Sequence, residues 1–370
     1  MIDIRPVADR RSLRAFIEFP YGKYRGHPHW VPPLRLSERA QFDRAKNPFY
    51  QTADIDLFTA WESGRMAGRV AAIDDRAHNQ THKDNIAAFG FFEATSAEAA
   101  SALLGRVEQF AAAHGRTAVR GPLNPSLNHS AGFQIDAFDT DPFLMMPYNP
   151  PEYPTFVEAA GYAKVKDLYS WLLDPREAPE SRLTALAGRL QQRYKVVIRR
   201  VNLGDIGAES ERIREIYSEA WKDNWGFVPP SREEFWHIVK DLKSIIEPDG
   251  ALIAEVGGRP VGCAIAAPDV NEVIKPANGR LFPLGLLRLL LRRRIVTRWR
   301  VVIVGVIDEY RDKGVLPLLM AGLMANARGH RCLVAECSWT LEDNLAVNLA
   351  LSQGGARHYK TYRLYQKSIA

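Results

Sequence analysis

The chain has 370 residues, 46% apolar and 25% charged, with a net charge of +6 and pI near 9.1. That length suits two domains of ordinary size, and the composition is that of a globular protein with no low-complexity tract. No stretch reaches the roughly 20 apolar residues a spanning helix needs, and the mild basic excess favours anionic partners (a phosphorylated cofactor, membrane headgroups or nucleic acid) without choosing among them.

Met1-Ile2-Asp3-Ile4-Arg5-Pro6 carries no apolar signal core, so a cytoplasmic chain is expected. A strand and a helix come first. Strand-like Leu57–Trp61 and Val70–Ile73 then flank Gly64-Arg65-Met66-Ala67-Gly68, a hairpin pattern. A further strand, a helix over Glu98–Ala113, a strand over Thr117–Arg120 and another over Leu168–Leu173 complete the first half. Asp174–Glu180, Pro-rich and charged, reads as a linker. The second half restarts with a helix over 181–193 and a strand over 195–201. Helices over 209–221 and 232–244 follow. Leu252–Val256 and Cys263–Ala267 then flank Gly258-Arg259-Pro260-Val261-Gly262. The β-branched run Val301–Ile307, a helical stretch from Pro317 and a strand over 332–338 come next. Cys263, Cys332 and Cys337 lack metal-ligand spacing and read as reduced thiols.

The chain repeats itself at one offset. The two hairpin turns lie 194 residues apart, at 64 and 258. Gly161-Tyr162-Ala163-Lys164 and Gly355-Ala356-Arg357-His358 lie 194 apart as well. Two matches at one offset argue for a duplicated domain, with boundaries expected at 1–176 and 177–370. Strands alternating with helices, with hairpins among them, predict an α/β (α+β) fold whose sheet is mixed and mostly antiparallel.

The halves diverge after their central strands. In the second half Glu309-Tyr310-Arg311-Asp312-Lys313-Gly314-Val315-Leu316 joins a strand to a helix. Backbone N–H groups and a helix dipole converge there, a seat for a pyrophosphate. In the first half Ala94-Thr95-Ser96-Ala97-Glu98 stands at that place, with neither Arg nor Gly. Only the second half is therefore expected to bind the phosphorylated ligand.

That loop resembles the signature of the GNAT acyltransferase superfamily: Arg311, Gly314 and Leu316 fill it, Leu316 standing where Gly or Ala is usual, and Pro317 removes one N–H donor. More narrowly the chain resembles the tandem-GNAT group that includes bacterial ceramide synthases. The matching segments are Trp30–Pro33, Gly121–Pro125, Met145–Pro151, Trp225–Pro229 and Glu336–Asn344. The resemblance implies two GNAT-like domains and acyl-CoA as donor substrate. It implies transfer of a fatty acyl group to the amine of a sphingoid base or its 3-keto precursor, making a (dihydro)ceramide. Gly305, Val306, Ile307, Arg311, Lys313, Gly314, Val315, Leu316 and Asn344 are then expected at the donor.

Acyl transfer to an amine needs a base, a polarised carbonyl and a proton for the leaving thiol. Glu336, a carboxylate within an apolar strand, is the expected base; pairing with an Arg is the alternative account of it. Asn344 reads equally as a helix cap. The acid stays unassigned, with Tyr359, Tyr362 and Tyr365 as candidates. Asn124, Asn128, Tyr148 and Asn149, set among prolines, are expected on the acceptor side between the halves; Asx turns are the alternative.

Leucines crowd one end of 281–300 and arginines the other, which suits peripheral contact with an anionic inner-membrane surface or, alternatively, a helix covering the sheet. The basic run has no interleaved aromatics or recognised module, so nucleic acid is not expected. His27/His29 and His78/His82 have no third ligand nearby, and no metal is expected. Two other activities stay open: an acyl- or aminoacyltransferase acting on a small amine or peptide, and a non-catalytic acyl-CoA-binding regulator.

Overall fold

The computed structural model describes residues 1–177, 188–282 and 284–369. Residues 178–180 of the expected linker and 181–187 of the expected helix lie outside these. The chain forms two compact units. Unit 1 comprises Met1–Leu168, Asn278–Arg280 and Lys360–Ala370; unit 2 comprises Tyr169–Ala277 and Leu281–Tyr359.

In unit 1, β1 (Ile2–Pro6), β2 (Ala53–Glu62), β3 (Arg65–Asp75), β4 (Ile86–Ala94) and β5 (Ala118–Gly121) lie side by side in that order. Neighbours from β1 to β4 are antiparallel, and β4 and β5 are parallel. A parallel pair needs a crossover, which here contains helix α2 (Ala97–Ala113), the second long helix after α1 (Arg10–Lys23). Ala99, Ala100, Leu103, Leu104, Val107 and Ala111 recur at helical spacing and are buried. Each fully buried Leu or Val contributes roughly 1.5–3 kcal/mol. Two further strands, β6 (Phe133–Gln134) and β7 (Ala163–Leu173), follow, the latter running into unit 2.

Unit 2 repeats the order. β8 (Val196–Arg200), β9 (Ala251–Val256), β10 (Arg259–Pro268) and β11 (Arg298–Val306) are successive antiparallel neighbours, and β11 runs parallel to β12 (Val334–Leu341). Helix α3 (Ile206–Trp221) and α4 (Arg232–Lys243) precede the hairpin, and α5 (Leu284–Leu290) precedes β11. Helix α6 (Val315–Gly329) makes the crossover, and α7 (Leu345–Gln353) leads to β13 (Arg357–Ser368). Val315, Leu318, Leu319, Leu323 and Met324 seat α6 in the core.

The duplication is visible in backbone detail. Gly161 and Gly355 share φ +89°, a conformation open chiefly to glycine, each two residues before a strand. Both hairpins carry a register shift, which makes Ala67 and Val261 the extra residues of their strands, again 194 residues apart.

Expected and observed elements agree closely except over 281–300. That stretch is not one amphipathic surface. It breaks into α5 and the short helix Arg292–Ile295, and Arg298–Arg300 begin β11. Trp299 and Arg300 are buried.

Candidate active site

Helix α6 opens on Gly314, at φ +74°, and among the described residues no side chain caps it. Its first-turn N–H groups lack intrahelical partners by construction, and Pro317 carries none. The equivalent helix in unit 1 is closed: Ser96 Oγ accepts from Ala99 N at 3.2 Å, and Glu98 sits in the first turn. A short 3-10 turn over Asp308–Lys313 joins β11 to α6. Four cations surround it. Lys222 and Arg311 pair with Asp308 at 2.7 and 2.8 Å, Arg259 pairs with Glu309 at 3.0 Å, and Lys313 stands 3.9 Å from Glu309. Arg311 also donates to the Ala220 carbonyl at 2.7 Å. The side chain of Leu190 fills the space beside the Gly314 α-carbon, and that of Val315 is buried against Gly262.

β11 and β12 pair only at their beginnings. Their ladder runs from Arg298/Val334 to Val301/Cys337, while β11 continues to Val306 and β12 to Leu341. At that parting β11 is bulged: Ile303 faces Ile265 and Val301 faces Ala266, leaving Val302 as the extra residue. Ile307 N–H is committed to the Val261 carbonyl at 3.0 Å, so of the expected donor groups it is spent on β10. Strand alternation turns Val306 N–H toward the other edge. On that edge the Val304 carbonyl accepts from the Trp221 indole Nε1 at 3.0 Å, and Gly305 admits Ala220 of α3 alongside.

In unit 1 the corresponding parting is filled by the chain itself. Beyond β5, Leu123 N donates to the Phe89 carbonyl at 2.9 Å, and Asn124 Oδ1 accepts from Phe91 N at 2.5 Å. Asn124 thus stands, in unit 1, at the place where β11 and β12 stop pairing in unit 2.

A buried polar network lies beside the parting in unit 2. Glu336 has no solvent exposure and faces Arg300 across the ladder. Its Oε2 accepts from Ser338 Oγ at 2.9 Å and lies 3.8 Å from Arg300 Nε; its Oε1 accepts from the phenol of half-buried Tyr359. Arg300 also donates to Ser338 Oγ at 3.0 Å and to the Ser338 carbonyl at 3.2 Å. A buried ion needs such partners, because desolvation otherwise outweighs the Coulomb attraction. Asp269, at the end of β10, is fully buried beside Arg298 at 2.9 Å. Burial pushes its carboxyl up to about 7, against the pull of Arg298, with Glu336 and Glu272 pushing the same way. The carboxylate of Glu272 accepts from Thr297 N and Arg298 N.

Asn344 caps α7, its Oδ1 accepting from Val347 N at 3.4 Å. In unit 1, Asn149 is 4% exposed and its amide binds Gln134 N, Gln134 O and the Pro150 carbonyl. Asn128 N donates to Ser126 Oγ. Tyr148 meets Tyr24 edge-on and His27 at a tilt, with its hydroxyl 3.0 Å from His27 Nε2. Tyr362 and Tyr365 are core residues of unit 1. The three cysteines are free and buried, each thiol pushed up to about 12 by burial. His78 stands 3.1 Å from Asp84. Among the described residues Asp54, Asp74 and His114 approach one another, with Asp54 paired to Arg76 and Asp74 to Arg116.

Sequence reasoning missed Arg298, Arg300, Ser338 and Asp269 as parts of the site. The available signal was period-two spacing: Arg298 and Arg300 share one face of a strand, as do Glu336 and Ser338.

No protein-family model matches the chain. It is 35% identical over 377 residues to Protein YghO of Escherichia coli strain K12, covering 99% of this chain and 95% of that protein. It is 32% identical over 382 residues to the bacterial ceramide synthase of Caulobacter vibrioides, covering 100% and 98%. Among solved structures it resembles a tandem GNAT protein from the clavulanic acid biosynthesis pathway, with a TM-score of 0.60 at 12% identity over 100% and 98% of the two chains. A GCN5-related N-acetyltransferase from Sphaerobacter thermophilus superposes with a TM-score of 0.51 at 11% identity over 99% and 95%. With full-length relatives above 30% identity and the duplicated fold in hand, the chain belongs to the tandem-GNAT acyltransferase family and is an N-acyltransferase.

Proposed function

We propose that unit 2 binds a long-chain acyl-CoA and transfers its acyl group to the amine of a sphingoid base or its 3-keto precursor. The observation that carries this reading is the contrast between the units. Unit 2 has parted strands leading to an uncapped helix N-terminus, whereas unit 1 has that parting filled by Asn124 and its helix capped by Ser96. Donor phosphates would rest on the first turn of α6, near Lys313, Gly314, Val315 and Leu316, where N–H donors and the helix dipole favour negative charge. Arg311 and Asn344 would flank them.

In the transfer itself, the amine nitrogen attacks the thioester carbonyl carbon. A C–N bond forms, the C–S bond breaks, and the amine gives up a proton while the thiolate takes one up. Glu336 is the proposed proton acceptor. Because it has no solvent exposure, the Tyr359 hydroxyl is the atom proposed to meet the amine: it takes the amine proton as its own passes to Glu336. Val306 N–H, aimed away from β10, is proposed to bind the pantetheine arm. In unit 1, Tyr148 is proposed as the acceptor contact, with Asn124, Asn128 and Asn149 holding the loops around it.

The lipid acceptor finds support in the surface of unit 2. Phe282, Leu287 and Leu290 are 71%, 53% and 68% exposed, and exposed Arg293 and Arg294 follow them. Apolar side chains beside cations suit insertion at an anionic bilayer surface, and we assign peripheral membrane contact to this segment. Among the described residues no helix is long and apolar enough to cross a membrane.

The test is mass spectrometry of products from purified protein, palmitoyl-CoA and a sphingoid base. The N-acyl product with free CoA is expected. Equal turnover with a polar amine such as spermidine would discard the lipid acceptor, and donor binding without product would favour the regulator.

A further inference from the structure

At the parting of β11 and β12 the two faces of the sheet differ in polarity. Arg300 and Glu336 point to one face, together with Ser338 and Tyr359. Alternation sends Trp299, Val301 and Cys337 to the other face, under α6. There the structure holds a cavity of about 30 Å³. Val301 and Cys337, the last paired residues of the two strands, line it, with Trp299 of β11 and Met320, Leu323 and Met324 of α6. A cavity so walled offers a water few partners. Methionine side chains, unbranched and flexible, yield readily to an apolar guest. The far rim is polar, because Asn326 donates to the Asp249 carbonyl at 2.8 Å and His330 Nε2 stands 3.2 Å from Asp249 Oδ2.

We infer that this cavity seats the acyl tail of the thioester donor. The inference rests on the acyl-transfer reading above and adds where the chain goes. A carbonyl held at the parting has the proton acceptor and the incoming amine on the Glu336 face. Its apolar tail turns the other way, past the end of the ladder and over the side chains of Val301 and Cys337, and runs beneath α6 toward the Asp249–His330 rim. A long chain exceeds 30 Å³, so Met320 and Met324 swing aside as it enters, and the rim sets the limit on length. Donor selectivity therefore resides in α6 side chains that touch neither the phosphates nor the proton acceptor.

The experiment compares acetyl-, octanoyl- and palmitoyl-CoA with one amine, in the full-length protein and in Met324→Trp and Leu323→Ala. Met324→Trp fills the cavity and should lower kcat/KM for palmitoyl-CoA by about tenfold or more relative to acetyl-CoA. Leu323→Ala enlarges it and should shift the optimum toward longer chains. Parallel changes for all three donors, or an unchanged chain-length profile in both variants, would overturn the inference. A binding measurement separates it from the transfer chemistry: a terminally brominated acyl-CoA should quench fluorescence in the wild type much more than in Trp299→Phe. Equal quenching in both would also overturn it. Quenching specific to Trp299 without any turnover would uphold the cavity and sink the transfer reading alone.

Discussion

The phenol of Tyr359 donates to Oε1 of Glu336, a carboxylate with no exposure to solvent, while Tyr359 itself is only half-buried. The pair connects a fully enclosed carboxylate to a half-buried side chain through one hydrogen bond. Arg300 and Ser338 hold the other carboxylate oxygen, so the carboxylate is fixed from both sides.

If the two residues act as one unit, their losses do not add. Glu336→Gln should lower kcat by about 10²–10⁴-fold, Tyr359→Phe by a comparable factor, and the double variant little further. Steady-state kinetics of the three variants checks this. Donor affinity, read by calorimetry, should stay near wild type in each.

Asp269 gives a pH signature. Its folded value near 7 lies above the ordinary 3.8 because burial disfavours the carboxylate. Between about pH 4 and 7 the native state therefore keeps a proton that the unfolded chain has released, and stability falls as pH rises through that window. The effect is on the order of a few kcal/mol. His78, lowered to about 4 chiefly by burial, works in the opposite sense, its share being lost as pH falls from 6.5 toward 4. It is common to wild type and variant. The Tm of Asp269→Asn relative to wild type should rise from pH 5 to pH 8; a constant difference would contradict the assignment.

Gly314 combines φ +74° with a neighbour, Leu190, whose Cδ1 would lie 2.4 Å from an added Cβ. Gly314→Ala should cost roughly 1–2 kcal/mol from backbone strain, plus the clash. Denaturant unfolding of Gly314→Ala and of Gly314→Ala with Leu190→Ala checks this. The second change should recover the clash and leave the strain.

Much of this was legible in the chain because short-range rules govern it. The 194-residue repeat announced itself through glycines that the structure holds at one positive φ, Gly161 and Gly355. Glu336 stood out because a carboxylate in an apolar strand demands partners. The partners themselves were harder to see. Tyr359 is 23 residues away, and Arg298 and Arg300 follow a run of surface arginines that hides the start of β11. The bulge at Val302 has no residue signal, since a β-branched run reads the same with or without an extra residue. Asn124 reads as a loop asparagine, and only the strand pairing reveals that it fills a gap.

Membrane contact through α5 predicts co-sedimentation with vesicles containing anionic lipid. Leu287→Asp with Leu290→Asp should abolish it. Arg293→Gln with Arg294→Gln should weaken it by about 1 kcal/mol per charge and remove its salt dependence. Unchanged sedimentation in the Leu pair would exclude this segment.

The most direct test of the account is calorimetric titration of acyl-CoA into wild type, Leu316→Glu and Ser96→Glu. A carboxylate in the first turn suits the helix dipole yet repels phosphate; because Leu316 packs partly buried against the core, circular dichroism and Tm of each variant are measured alongside, so that a lost donor seat is told from a lost fold. One donor per chain is predicted, with affinity about tenfold weaker or worse in Leu316→Glu and unchanged in Ser96→Glu. Two donors per chain, or wild-type affinity in Leu316→Glu, would contradict the assignment of the donor to the open helix of unit 2.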